Sequence, residues 1–268
     1  MEKTRILGTG LSGLVGSKIT EILALEFSFA NLDLSQGVDI TNAQQVEAAV
    51  AASHAECVLH LAAFTDLNAA ETQKGDRSGS VYQVNVEGTR NLAAACAKHG
   101  KHLIHMSTGY VFDGQKKGPY SETDTPNPID WYGETKLEAE KVVQELLPGS
   151  HTILRINFPY RQDEFAKKDI WHKMADALQA GKTGPFFDDH FYTLTPIEWL
   201  ADVVRWCFEK QPVGIFHATT DKVYTDFTLA LEVQASLGLR GDLLRSSLAE
   251  YNATAERKYA PSLILSSG

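Results

Sequence analysis

The stretch "TRILGTGLSGLVGSKITEIL", Thr4–Leu23, decides the fold. A short apolar run, Thr4–Gly10, ends in glycines, and beyond it Leu14, Ile19, Ile22 and Leu23 recur at helical spacing. The stretch predicts a strand, a tight loop and a helix in succession. Gly8, Gly10 and Gly13 satisfy G-x-G-x-x-G, while Gly10, Gly13 and Gly16 satisfy G-x-x-G-x-x-G. Without Cβ atoms the backbone turns sharply and admits a pyrophosphate, which then meets the amide groups at the helix start. A glycine-rich turn with no ligand is the alternative; the strand before and the helix after favour the binding loop.

Working outward, the same alternation continues. "FSFANLD" (Phe27–Asp33), "CVLHLAA" (Cys57–Ala63), "KHLIHMST" (Lys101–Thr108) and "HTILRIN" (His151–Asn157) are strand candidates. Between them Asn42–Ser53, Val81–Gly100 and Tyr132–Leu147 predict helices, with Thr41 or Asn42 as an N-cap and a glycine closing the second. Strand alternating with helix predicts an α/β fold with a Rossmann-type, doubly wound parallel sheet covered on both faces. After Asn157 the alternation loosens. Two amphipathic helices, a third helix and the short strand "GIFHAT" predict a small C-terminal substrate-binding lobe over 158–268, with some segments returning to the sheet of the 1–157 cofactor-binding domain.

A dinucleotide site calls for an acidic residue some 20 residues after the glycines, at the end of the second strand. Asp33 stands there. Its carboxylate can accept hydrogen bonds from a ribose diol and would repel a 2′-phosphate. No lysine or arginine lies between Asn31 and Gln73 to neutralise that phosphate, so NAD is favoured, with NADP left open. Asp39 and Ile40 either flank the adenine or form a helix-capping loop.

In "WYGETKLEAEK" (Trp131–Lys141), Tyr132 stands one helical turn before Lys136. Hydride delivered to a carbonyl leaves an alkoxide that needs a proton, and a phenol can supply it. An unperturbed phenol has a pKa near 10, and a nearby ammonium lowers it; a shift of ~3 units takes about 4 kcal/mol. A hydroxyl from another element should polarise the carbonyl. Ser107 and Thr108 offer one at the end of the fourth strand, where open α/β sheets bind ligands. Alone, Tyr132 and Lys136 read as a solvated helix face. The glycine loop, Asp33 and Thr108, in that order, turn the reading toward chemistry.

These residues carry a resemblance. The chain resembles the extended short-chain dehydrogenase/reductases, and within them the dTDP-4-dehydrorhamnose reductases and their relatives, which include the regulatory beta subunit of methionine adenosyltransferase. The supporting stretches are "GLSGLVG", "HLAAFTDLNAAE", "VNVEGTRNLA", "STGYVFDG", "PYSETDTPNPIDWYGETKLEAEK" and "DDHFYTLTPIEWLADVV". The resemblance implies that Gly10, Gly13 and Gly16, with the amides of Leu14 and Val15, hold the pyrophosphate. Leu61, Ala62, Ala63 and Thr65 would line the cofactor cleft, Asn85 would face it, and Ser107 would border it. Thr108, Tyr132 and Lys136 would be the catalytic triad, with Tyr132 as proton donor and Lys136 also gripping the ribose. Thr65, Gly109, Tyr110, Phe158 and His190 would meet a nucleotide-sugar substrate, whose keto group is reduced with NAD or NADP.

The chain also departs from that pattern. Gly109 replaces an aspartate, Asn68 stands where an aspartate is common, and Phe158 stands where the rhamnose enzymes have a tryptophan. "TQKGDRSGS" is longer than its counterpart, and "ERKYAPSLILSS" only loosely resembles the family's Arg-Pro-containing ending. The cofactor side is kept and the sugar side altered. A non-catalytic, cofactor-binding regulatory subunit and a sugar-nucleotide epimerase therefore stand as alternative readings.

Composition excludes other classes. The chain has 268 residues, 43% hydrophobic, with a formal charge of -9 and a pI near 5.5. That argues against a nucleic-acid partner. Three cysteines lie apart in no C-x-x-C pattern, and nine histidines form no H-E-x-x-H motif, so no metal is expected. No signal peptide or membrane span is predicted, which makes cytoplasmic the default location. Dimers are common in this superfamily, so the resemblance admits a homodimer.

Overall fold

The computed structural model describes residues 3–254, 259–260, 262–263 and 265–266. Much of the C-terminal "ERKYAPSLILSS" therefore lies outside the described residues. The first half runs β1 (Thr4–Thr9), α1 (Leu14–Leu23), β2 (Phe27–Asn31), α2 (Ala43–Ala52), β3 (Cys57–His60), α3 (Leu67–Glu71), α4 (Ser80–Tyr82), α5 (Gly88–Lys98), β4 (His102–Thr108), α6 (Trp131–Leu146) and β5 (His151–Ile156). The second half runs β6 (Pro159–Tyr160), α7 (Ile170–Gln179), β7 (Phe186–Phe187), β8 (Phe191–Thr193), β9 (Thr195–Pro196), α8 (Ile197–Lys210), β10 (Gly214–His217), β11 (Val223–Tyr224), α9 (Asp226–Ser236), β12 (Arg245–Ser246), α10 (Leu248–Thr254) and β13 (Ser262–Leu263).

Six strands form one parallel sheet in the order β10-β5-β4-β3-β1-β2. The chain steps outward from β1 to β2, then crosses back to place β3 on the other side of β1. That reversal opens a crevice at the carboxyl ends of β1 and β3, the position where open α/β sheets take ligands. Strands β3, β4 and β5 are buried along their whole length. A parallel strand covered on both faces tends to read as an apolar run; here Val58, Leu59, Leu103, Ile104, Ile153 and Leu154 supply it, interrupted by buried polar groups such as His60, His105 and Arg155. Helix α1 packs against α8, and α2 against α5, which in turn meets α6. Ile19 and Leu23 of α1 are fully buried in the core it shares with α8. Each such side chain contributes about 1.5–3 kcal/mol. The returning segments are β10, at the sheet edge beside β5, and α8.

Two predicted boundaries are corrected. The strand expected over Cys57–Ala63 ends at His60, because the chain must turn there to wall the crevice. The single helix expected over Val81–Gly100 is three pieces: α4, a π-helical turn at Gln83–Glu87, and α5. The π turn carries Asn85 inward, and such turns recur at functional sites. Asn42 is the N-cap of α2, accepting from the amides of Gln44 and Gln45.

The second half adds its own core around Tyr192, Leu194, Phe227 and Leu263. Among the described residues no helix is long and apolar enough to cross a membrane.

Candidate active site

The glycine loop is built by steric necessity. Gly10 has φ +67°, and a Cβ there would lie 2.7 Å from the Ala62 amide nitrogen. At Gly16 a Cβ would overlap the Gly10 carbonyl oxygen and come within 2.6 Å of Leu11 Cα. The loop can thus close tightly only with glycine at both positions. Gly13 caps α1 with no side-chain bond, and no acidic residue stands in the first turn. The amides of Leu14, Val15 and Gly16 therefore begin a helix whose positive end faces the crevice, as an anionic pyrophosphate requires. These observations fit a dinucleotide.

Asp33 stands at the rim. Its carboxylate accepts from the Ser35 hydroxyl at 2.5 Å, the Ser35 amide at 2.9 Å, the Ser12 hydroxyl at 3.2 Å and the Asn31 amide group. These bonds, the Ser35 hydroxyl foremost, hold its pKa below the usual 3.8, so it stays ionised. Asp39 behaves differently. Its carboxylate bonds the Thr41 amide and hydroxyl at 2.9 and 2.8 Å, and Ile40 is buried beneath Gly88. Of the two readings left open for this pair, the geometry supports the turn before α2.

After β3, the Leu61 amide bonds the Thr9 carbonyl and the Ala62 amide bonds the Thr9 hydroxyl, which fixes the crevice wall that includes Ala63. Thr65 is exposed, and the Lys167 ammonium reaches its hydroxyl at 2.5 Å. Asn85 is buried and works as a clasp. Its carbonyl takes the Phe64 amide at 2.8 Å, and its amide group donates to the Phe64 carbonyl and to Thr135 on α6. It ties the wall to the helix that carries Tyr132.

Helix α6 is capped by Asp130, whose carboxylate accepts from the Gly133 amide at 2.8 Å. A Cβ at Gly133 would overlap the Tyr110 carbonyl, so this glycine lets α6 press against the turn after β4. There the Thr108 hydroxyl lies beside the Tyr132 phenol. Burial foremost, and the Asp130 carboxylate, push the phenol above its ordinary pKa of 10, and the Thr108 hydroxyl draws it back. The expectation that Lys136 lowers the phenol is corrected for this state. The Lys136 ammonium, 2% exposed, donates to the Met106 carbonyl at 2.8 Å and to His105 Nε2 at 3.2 Å. Burial lowers Lys136 to about 8, opposed by the Glu140 carboxylate. Ser107 is also turned inward, donating to Glu140, which forms a fully buried two-bond pair with Arg155 at 2.9 and 2.7 Å.

The residues expected at the substrate gather beyond Tyr132. The Tyr110 ring meets Tyr132 edge-on at 5.9 Å and Phe158 at 5.8 Å. Phe158 rests on Tyr192 at 4.6 Å and has His190 edge-on at 6.3 Å. Phe158 has φ +38°, a strained value for a bulky residue. His190 is oriented by Asp226 at 3.3 Å. Gly109 explains its own missing side chain: a Cβ there would overlap Asn157 Oδ1. Asn157 is 1% exposed and leaves that oxygen without a partner, while its amide group donates to the Leu263 carbonyl.

Sequence reasoning missed Asn157, Tyr192, Lys167, Gly133 and the Glu140–Arg155 pair. The pair had a signal: Glu140 stands two helical turns after Tyr132 on the same helix face, and Arg155 is a charge inside an apolar strand. Asn157 had none, because its partners lie far along the chain. Among the described residues no group of histidine, cysteine, aspartate and glutamate side chains could hold a metal ion.

The family model for the RmlD substrate binding domain matches residues 4–266. The dTDP-4-dehydrorhamnose reductase of Aggregatibacter actinomycetemcomitans is 35% identical over 241 residues, covering 85% of this chain and 78% of the relative. Methionine adenosyltransferase 2 subunit beta of Bos taurus is 29% identical over 256 residues, covering 90% of this chain and 74% of its own. The crystal structure of dTDP-4-dehydrorhamnose reductase from Bacillus anthracis in complex with NADP superposes with a TM-score of 0.89 at 26% identity, covering 100% of this chain and 92% of that one. With a match of this extent over a doubly wound sheet and a glycine crevice, the chain belongs to the RmlD substrate-binding-domain family, among the extended short-chain dehydrogenase/reductases.

Proposed function

We propose that the chain is an NAD(P)-dependent reductase of a keto group on a nucleotide-activated deoxysugar. One observation carries the reading: the Thr108 hydroxyl and the Tyr132 phenol come together where α6 meets the carboxyl end of β4, with an aromatic wall leading away from them. When bound, the dinucleotide supplies hydride to the carbonyl carbon. The chain's residues do the rest. Tyr110 and Phe158 orient the sugar face, and Thr108 donates to the carbonyl oxygen. Tyr132 gives its proton to that oxygen as it becomes an alcohol. A phenol held above its usual pKa is protonated at neutral pH, so the proton is in place to be given. Lys136 supplies positive charge beneath the phenol and holds the ribose. Leu14, Val15 and Gly16 present amides to the pyrophosphate, and ionised Asp33 favours a free ribose diol, hence NAD.

A second reading is favoured by one observation. The Lys136 ammonium bonds His105 and Met106 rather than Tyr132, as a subunit that binds the cofactor without turnover would permit. Mixing the purified chain with NADH or NADPH and dTDP-4-keto-6-deoxy-D-glucose, and following nicotinamide absorbance, separates the two. Oxidation supports the reductase; tight cofactor binding with no oxidation on any of several keto-sugar nucleotides supports the second reading.

The proposal includes a homodimer in the cytoplasm. Three free, buried cysteines suit a reducing compartment. Light scattering on the eluted protein tests the dimer.

A further inference from the structure

Lys136 is not held only by the helix that carries it. Its ammonium has three protons to give. One goes to the Met106 carbonyl and one to His105 Nε2. His105 is fully buried in the central strand β4, and its Nδ1 has no partner. An ordinary core position there would be filled by an apolar side chain like the neighbouring Ile104.

The ring cannot turn freely, because His60, paired with it in register on β3, lies against it at 5.1 Å. The bonding around His60 fixes that second ring. Thr89 gives its hydroxyl proton to the Asn85 carbonyl at 2.7 Å, so it accepts from His60 Nε2 at 2.9 Å. With the proton of the neutral ring on Nε2, His60 Nδ1 accepts from the Thr9 hydroxyl at 2.7 Å, while Thr9 Oγ1 accepts from the Ala62 amide at 3.2 Å. Every member of that line has its proton assigned by its neighbours. For His105 the assignment is also forced. An ammonium only donates, so Nε2 is the acceptor and the proton sits on the orphaned Nδ1.

We propose that His105 is a positioning residue for Lys136: its Nε2 accepts from the ammonium and keeps that charge seated beneath the catalytic turn. The proposal rests on the reading of Lys136 as the cation that serves Tyr132. His105 remains neutral throughout the working range, because burial and the Lys136 charge hold it well below 6.5. His60 is held neutral by the same causes, at about 3. The groups that face Lys136 are Glu140 from α6, His105 from β4 and His60 from β3; Arg155 from β5 is paired with Glu140. Glu140, the Met106 carbonyl and the His105 acceptor favour the ammonium against burial. With Lys136 titrating at about 8, losing one of them tips it to the neutral amine near neutral pH.

The test uses the full chain free of cofactor, labelled with 13C-lysine. The Cε shift of Lys136, assigned by comparison with Lys136→Met, is followed against pH. Wild type should titrate near 8. His105→Met removes the acceptor, and His105→Asn keeps polarity but is too short to place an atom at Nε2. Both should titrate lower by about one unit or more, a tenfold change in the ammonium-to-amine ratio. His105→Gln reaches the Nε2 position and should restore the wild-type midpoint. Midpoints of His105→Met and His105→Asn equal to wild type would overturn the proposal; should the methionine variant fail to fold, the asparagine variant decides alone. The titration needs neither substrate nor cofactor. A chain that oxidises no NADH yet shows the shifts would reject the reductase reading and keep the role of His105.

Discussion

The two sides of the crevice are held by different kinds of contact. On the cofactor side, Gly10 and Gly16 meet backbone atoms: the Ala62 nitrogen, the Gly10 carbonyl and Leu11 Cα. On the sugar side, Gly109 meets a side chain, Asn157, which is itself held by Leu263, Thr193 and Thr195 from distant parts of the chain. A motif is readable when backbone sterics impose it, and obscure when another side chain can take its place. The difference also predicts where the molecule tolerates change: the first side is fixed, the second exchangeable.

The largest effect that tests this comparison belongs to Gly10→Ala. The added carbon meets backbone in a left-handed conformation, so about 2–4 kcal/mol of stability should be lost in denaturant unfolding. Cofactor affinity should fall at least about tenfold, or about 1.4 kcal/mol. No single neighbouring substitution should restore either, because the obstacle is main chain. Gly109→Ala should cost about 1–3 kcal/mol. Here Asn157→Gly should rescue: the double variant should be more stable than the sum of the two single changes by about 1 kcal/mol or more. Strict additivity would contradict the packing described for this pair.

Smaller effects sharpen the contrast. Phe158→Leu removes an aromatic face from the wall and should raise KM for the nucleotide sugar about tenfold, with the cofactor Kd unchanged in fluorescence titration. Asp33→Asn should move the NAD-to-NADP affinity ratio toward NADP by about tenfold at most. The pKa of Asp33 is lowered by folding, so its contribution is present above the ordinary carboxylate range and disappears as pH falls through the lowered value. The NAD preference of the wild type should therefore be flat from about pH 5 to 8.

Much of the cofactor side was legible because its rules are local. The glycine spacing, Asp33 at the end of β2 and the Tyr132–Lys136 spacing on α6 follow from short stretches, and the strand–helix alternation gave the sheet. The break of the predicted long helix at Gln83–Glu87 was not legible, since a π turn has no local signature here and is fastened by Asn85 to Phe64 and Thr135. The direction of the Lys136 side chain was not legible either. Helical spacing puts Tyr132 and Lys136 on one face, yet His105 and the Met106 carbonyl compete for the ammonium. The sugar side depends on β8, β9 and β13 meeting Asn157, just beyond β5, contacts that no spacing rule foresees.

The central claim is that Tyr132 delivers the proton beside Thr108. Tyr132→Phe keeps the ring against Tyr110 and removes only the hydroxyl. Steady-state turnover of NADH with the dTDP-4-keto-6-deoxy sugar should drop about 10²–10⁴-fold in kcat, with NADH binding unchanged. A variant that turns over as fast as the wild type would contradict the account.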